Sequence, residues 1–349
     1  MGKKLTRRQF VKLAGAAGTV AVISGPGGIL GGMALAAPTY TGVTYLTPGY
    51  KDIMPAIMGF VDQLKKNSGG AFKVDFYHSQ TLVKAKEQNA ALRAGTIQFM
   101  FHTSSYITRT FKILGITGLP GVVEVLYEHP ERLVMESPLW KALNDALAKE
   151  NIFQLSMGGG VLEPEYIWSG SKKVASLADL KGKRVRIVSY EATEALKKFG
   201  VSGVRIPSSE LYLAIQRGTV DAAVANISTI ISRRVNEQIK YCYKLPVTGF
   251  TISIYLLKSK WDSMDAKTKD AFWKAGQWFD KQCAPRINNQ FYPQVYWPII
   301  KKSHIQVFKP SAGDLKTFAD KSKPILGWWK KQVGEQLGQK ILNLALGKA

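Results

Sequence analysis

The segment Leu177–Asn226 constrains the fold more than any other part of the chain, because it reads as strand, helix, short strand, helix, strand with almost no slack between elements. Its first strand contains Val185, Ile187 and Val188, the β-branched run expected where helices cover both faces of a sheet. Arg186 interrupts that run. A guanidinium in such a place must find an anion, since burying it unpaired is very costly. Two partners are open: a ligand, or a structural carboxylate at a sheet edge.

A second stretch repeats the same local grammar. Ala90-Ala91-Leu92-Arg93-Ala94-Gly95-Thr96 leads into Ile97–Phe101, and Leu213-Ala214-Ile215-Gln216-Arg217-Gly218-Thr219 leads into Val220–Ala223. In each, an amphipathic helix stops at a glycine suited to the left-handed position after a helix, and an apolar strand follows. Helix then strand, twice, predicts an α/β protein with two lobes on mixed, largely parallel sheets. Both strands end in small polar residues, Thr103-Ser104 in one and Asn226 in the other. Ligands of open α/β sheets sit off the carboxyl ends of strands, so these ends are candidate pocket walls, one from each lobe.

The remaining elements fit that plan. Strands are expected at Thr41–Thr47, Phe72–Tyr77, Ile152–Met157 and Phe250–Leu257, with a helix over Ile53–Lys66. Ser208, after Pro207, is placed to cap a helix over Glu210–Arg217. Gly158-Gly159-Gly160 reads as a flexible crossing between lobes; as a phosphate cradle it lacks the Lys-Ser/Thr that such loops carry. From Ser263 to about Lys302 a long helical stretch rich in aromatics should bridge the lobes, bent or divided at Pro285, Pro293 and Pro298.

Residues 1–36 read as an export address. Arg7-Arg8-Gln9-Phe10 is a twin-arginine segment, followed by a Gly-rich, weakly apolar run and the small-residue site Ala34-Leu35-Ala36. Cleavage after Ala36 predicts a periplasmic protein exported folded. The signal holds five basic residues of a chain whose formal net charge is +23, so the remainder stays strongly basic. That balance suits anions or an acidic surface. No basic block with interleaved aromatics points to nucleic acid. The two cysteines, Cys242 and Cys283, and the four scattered histidines give no metal-ligand or redox spacing, so neither cofactor nor metal is expected.

The order SGGAFKVDFYHSQTL, ALRAGTIQF, ADLKGKRVRI, SSELYLAIQRGTVDAAV resembles the DctP-type solute-binding proteins of TRAP transporters, from about Tyr40 to Pro310. The resemblance implies a two-lobed periplasmic binding protein with hinge strands, not an enzyme, that closes on an organic acid and hands it to membrane permease subunits. It implies a monomer touching the membrane complex only peripherally. Residues 38–165 would form lobe 1, completed by about 250–300, and 166–249 lobe 2, completed by about 301–349. The family's ligand arginine falls on Arg186, where a two-pronged guanidinium–carboxylate pair is the natural contact. The chain departs from sugar-acid binders in having Ala225 where they have asparagine, with Asn226 one residue later, and Thr103 where some are acidic.

Other pocket walls are expected from Tyr50, Tyr106, Trp168, Tyr190 and Phe250, with Thr103, Ser104 and Asn226 as a modest polar set. Few groups there could read many hydroxyls, which favours a compact apolar or aromatic monocarboxylate. An exported hydrolase would need a nucleophile with its base, and neither G-x-S-x-G nor an acid orienting His102 towards Ser104 is visible. A protein of this fold could also serve an ABC importer or a sensor kinase.

Overall fold

The computed structural model describes residues 37–348; the twin-arginine segment and its cleavage site lie outside the described residues. The chain forms two mixed sheets. The first has strand order β2-β1-β3-β10-β4, built from β1 (Thr39–Thr44), β2 (Lys73–Tyr77), β3 (Phe99–Thr103), β4 (Ile152–Ser156) and β10 (Ile252–Leu257). The second has order β11-β9-β5-β8-β6-β7, from β5 (Glu165–Ser169), β6 (Arg184–Arg186), β7 (Ser202–Val204), β8 (Ala222–Ala225), β9 (Tyr241–Thr248) and β11 (Gln306–Phe308). The helix–strand units pair in parallel, as β1 does with β2 and β3, and β6 with β7 and β8. β10 and β5 run antiparallel to both of their neighbours, so the sheets are less parallel than the helix–strand grammar suggested.

Those two antiparallel strands are where the chain changes sheets. β4 leaves the first sheet and returns as β5 in the second, while β9 leaves the second and returns as β10 in the first. The crossings run side by side, with Leu162 N–H donating to the Phe250 carbonyl at 3.1 Å. The glycine crossing is not loose. Gly158, Gly159 and Gly160 all have positive φ, and a Cβ on Gly159 would meet the Asp280 carbonyl oxygen at 2.0 Å. Asp280 Oδ1 accepts the Gly159 N–H (2.9 Å) and the Ser156 hydroxyl (2.5 Å), and Oδ2 accepts the Met135 N–H (2.7 Å). The Gly158 and Gly159 amides are occupied by Ser156 Oγ and Asp280 Oδ1, and the crossing is clamped where the sequence suggested flexibility.

Helix Met54–Ser68 buries Ala56, Ile57, Phe60, Val61 and Leu64 along one stripe and ends at Gly69 in the left-handed region. It packs on helix Ala266–Gln282, with the Phe60 and Phe279 rings 6.2 Å apart. Each such fully buried aromatic contributes about 1.5–3 kcal/mol of transfer free energy. The long helical stretch is divided: it breaks at Cys283, continues over Ala284–Arg286, winds as a π-helix over Ile287–Tyr296 with Pro293 inside, and ends as Trp297–Lys302. A proline lacks the N–H and crowds the preceding turn, so the wider winding accommodates it. Gly95 and Gly218 both follow their helices with positive φ, as the repeated motif required. Cys242 and Cys283 are buried free thiols.

The last helices reach both halves. On helix Ala312–Val333, Phe318 packs against Phe199 of the second lobe, while Trp329 donates its indole N–H to the Lys112 carbonyl of the first at 2.9 Å. Pro324 lies between these anchors.

Candidate functional site

The cleft is lined by the carboxyl ends of β3, β6 and β8 and by the amino end of β5. Arg186, the last residue of β6, is 2% exposed. β8 separates β6 from β5, and the Arg186 side chain reaches along it: Nη1 donates to the Val224 carbonyl at 3.0 Å and Nε to the Ile206 carbonyl at 2.8 Å. Nη2 makes no hydrogen bond among the described residues. Two neutral carbonyls orient the guanidinium without cancelling its charge.

The acid that stands near it is Glu165, at the start of β5 and 5% exposed. Burial pushes its carboxyl up to about 7, against the opposing pull of the Arg186 guanidinium. No ion pair within 4 Å forms between them, so Glu165 shares the field of Arg186 without capping it.

Across the cleft, the two halves meet through tyrosines. Tyr50 Oη donates to Ser208 Oγ at 3.3 Å, and Tyr106 Oη accepts the Ser208 N–H at 2.8 Å. Ser208 therefore caps nothing: helix Leu211–Gln216 begins after a single 3-10 turn with no side-chain cap, and the hydroxyl faces the opposite lobe instead. Thr103 Oγ1 is hydrogen-bonded to Tyr45 Oη at 2.9 Å, and the Tyr45 and Tyr106 rings lie 5.0 Å apart. Arg233 lies over the Tyr50 ring at 5.1 Å and donates Nε to its hydroxyl at 3.2 Å; its Nη2 is buried without a partner among the described residues.

The other expected wall residues are distributed differently. Ser104 Oγ lies 3.0 Å from Thr117 Oγ1 and accepts the Thr251 N–H at 3.1 Å, which ties the end of β3 to the crossing. Asn226 is fully buried and caps helix Ile227–Ser232; Oδ1 accepts the Ser228 N–H and the Tyr292 hydroxyl, and Nδ2 donates to the Glu163 carbonyl. Trp168 is fully buried, donates to the Ala225 carbonyl and stacks on Trp297 at 6.1 Å. Tyr190 opens helix Tyr190–Lys197 between Arg109 and Trp328. Phe250 is buried in the second crossing. Arg186, Thr103, Tyr50 and Tyr106 are thus brought to the meeting of the lobes, while the polar atoms of Asn226 and Trp168 are taken up by structural hydrogen bonds, those of Asn226 reaching Glu163 and Tyr292 as well as Ser228.

A Ser104–His102 nucleophile and base pair is not assembled. The Ser104 hydroxyl is bound as above, and the His102 ring nitrogens face the carbonyls of Thr103 and Ala85, so nucleophile and base do not meet. Among the described residues no His, Cys, Asp and Glu cluster could hold a metal ion. A cavity of about 190 Å³ opens beside the tyrosines, reaching Tyr106 on one side and Val188, Ile206 and Pro207 on the other.

Sequence reasoning missed Glu165, Tyr45, Ser208 and Arg233. The signal for Arg233 was present, as a cation just after a short apolar helix. Ser208 depends on the lobes meeting, Tyr45 on β1 pairing beside β3, and Glu165 on β5 lying one strand from β6, and no local pattern encodes these.

The family model described as "Bacterial extracellular solute-binding protein, family 7" matches residues 49–332. A "Solute-binding protein" of Albidiferax ferrireducens is 30% identical over 190 residues, 53% of each chain, so the chain spans about half the length of that relative. The C4-dicarboxylate-binding periplasmic protein DctP of Rhodobacter capsulatus is 23% identical over 276 residues, 78% of each. Among solved structures, an extracytoplasmic solute receptor of Bordetella pertussis binding pyroglutamic acid superposes with TM-score 0.77 at 20% identity, covering 88% of this chain and 99% of that one.

Proposed function

This chain belongs to family 7 of the bacterial extracellular solute-binding proteins, and from that premise we propose that it captures an organic acid between two closing lobes and delivers it to a TRAP-type secondary transporter. The observation that carries the proposal is Arg186: buried at the end of a strand, oriented by two carbonyls, with Nη2 unused among the described residues. A ligand carboxylate supplies what that guanidinium lacks. The names of the relatives support the chemistry, one being a C4-dicarboxylate binder and another binding pyroglutamic acid.

In this reading the lobes divide as the sheets do, with Thr103, Tyr50 and Tyr106 on one wall and Arg186 and Ser208 on the other. The hydrogen bond Tyr50 donates to Ser208 and the one Tyr106 accepts from it hold the closed form. The protein works in the periplasm after twin-arginine export and release at Ala36. A thermal-shift screen over organic acids tests the assignment: at least one carboxylate should raise the melting temperature of the native protein and leave Arg186→Ala unmoved.

A further inference from the structure

The cavity between the lobes has an unusual charge for its size. Lys86 and Arg109 reach it from the first lobe and Arg205 from the second. None of the three forms an ion pair within 4 Å with a carboxylate among the described residues. Arg109 has its guanidinium over the Tyr190 ring at 5.1 Å, and Arg205 Nη2 donates to the Tyr106 carbonyl. Neither contact removes charge. Glu191, which feels the field of Arg109, is buried, with Oε2 accepting from the Ser189 hydroxyl. Partial desolvation, and then the like charge of Arg109, holds the Arg205 pKa below its usual value.

The origin of the two arginines gives the cluster its meaning. Arg109 follows β3 in one lobe, and Arg205 follows β7 in the other, so closing the cleft drives one guanidinium towards the other. Like charges approaching across a partly desolvated gap oppose closure unless an anion lies between them. The space suits a small group: about 190 Å³ corresponds to roughly six water volumes. The floor is continuous with the anchor, because Ile206, which lines the cavity, gives its carbonyl to Arg186 Nε.

We propose that this cavity is a second oxyanion subsite, in which Arg109 and Arg205 clamp from opposite lobes an acidic group carried by the ligand or a free inorganic oxyanion. The ligand-borne form rests on Arg186 holding the first carboxylate, and it replaces the expectation of an apolar monocarboxylate with that of a compact dianion. That expectation weighed hydroxyl-reading groups and left out cations that only tertiary structure gathers.

The test compares thermal stabilisation at constant ionic strength by glutarate, by valerate and by inorganic phosphate. It uses the native protein, the double variant Arg109→Gln/Arg205→Gln, and Arg186→Ala. The two substituted arginines are exposed, so the double variant should fold normally. For a ligand-borne acid, glutarate should act at about ten-fold lower concentration than valerate, and the double variant should erase that preference while keeping the valerate response. For a free oxyanion, phosphate should stabilise the native protein and not the double variant, without competing with the carboxylates. The subsite is overturned if none of the three probes stabilises the native protein, if glutarate shows no advantage and phosphate no effect, or if the double variant retains whatever effects the native protein shows. An unchanged valerate response in Arg186→Ala would instead sink the first anchor, while the phosphate comparison still reports on the cavity.

Discussion

Tyr106 Oη accepts the backbone N–H of Ser208 at 2.8 Å, and through that bond the end of β3 holds the loop after β7 in the opposite lobe. An open cleft would return both groups to water. Tyr106→Phe leaves the Ser208 N–H without an acceptor only when closed, at a cost of about 1–3 kcal/mol, or roughly 5- to 150-fold in the closing equilibrium. Ligand affinity should fall by that factor with the melting temperature of the ligand-free protein nearly unchanged, and calorimetry of both variants checks it. Equal affinity would show that this bond does not contribute to closure.

Arg186→Ala should remove measurable carboxylate binding. Truncating one member of a buried charge pair costs about 2–5 kcal/mol, or roughly 30- to several-thousand-fold in affinity. Arg186→Lys should also bind poorly, because an ammonium cannot reproduce the fork that Val224 and Ile206 orient. Retained affinity in the alanine variant takes Arg186 out of the site.

Binding should weaken as pH rises through about 7. The Glu165 carboxyl, pushed up to about 7 mainly by burial, ionises there and competes with the ligand for Arg186. A bound carboxylate raises the Glu165 pKa further, so binding takes up a proton above that pH. The same shift makes the Glu165 contribution to folding stability greatest below its unfolded value of 4.5 and progressively lost up to about 7. Glu165→Gln should flatten both profiles. Titration calorimetry in two buffers of different ionisation heat measures the proton uptake, and none near pH 7 would count against the linkage.

Gly159→Ala should destabilise the fold without altering ligand contacts. A Cβ there meets the Asp280 carbonyl oxygen at 2.0 Å, and the φ of +67° is strained for any other residue. The expected loss is about 1–3 kcal/mol from the backbone conformation alone, read as a lower urea midpoint. An unshifted midpoint would mean the clamp is soft.

Replacing Arg7 and Arg8 by lysine should leave uncleaved precursor inside the cell. Normal export of that double variant, followed by immunoblotting of periplasmic extracts, would contradict the twin-arginine reading.

The repeated helix-Gly-Thr-strand units were legible because everything that specifies them is local: an apolar stripe, a left-handed glycine and a β-branched run. Arg186 stands out as a candidate for the opposite reason, as a charge violating its strand's pattern. What escaped were pairings across the cleft. Ser208 has a helix-cap residue's local context, and only the arrival of Tyr50 and Tyr106 from the other lobe decides where its hydroxyl and amide go. Trp168 and Tyr106 are equally aromatic in sequence. Yet one is spent on Trp297 and the Ala225 carbonyl, and the other stands at the cavity. Antiparallel β5 and β10 were hidden because strand direction depends on which sheet the chain has crossed into.

Helix Ala312–Val333 is anchored near Phe199 at Phe318 and near Lys112 at Trp329, eleven residues apart, or about 16 Å along its axis. Any rotation of one sheet against the other loads that helix as a beam fixed at both ends. Its compliance is concentrated at Pro324, where the intrahelical ladder lacks a rung. The cleft is therefore sprung as well as hinged, with a restoring torque set at Pro324, a residue that does not line the cavity between Arg109 and Arg205.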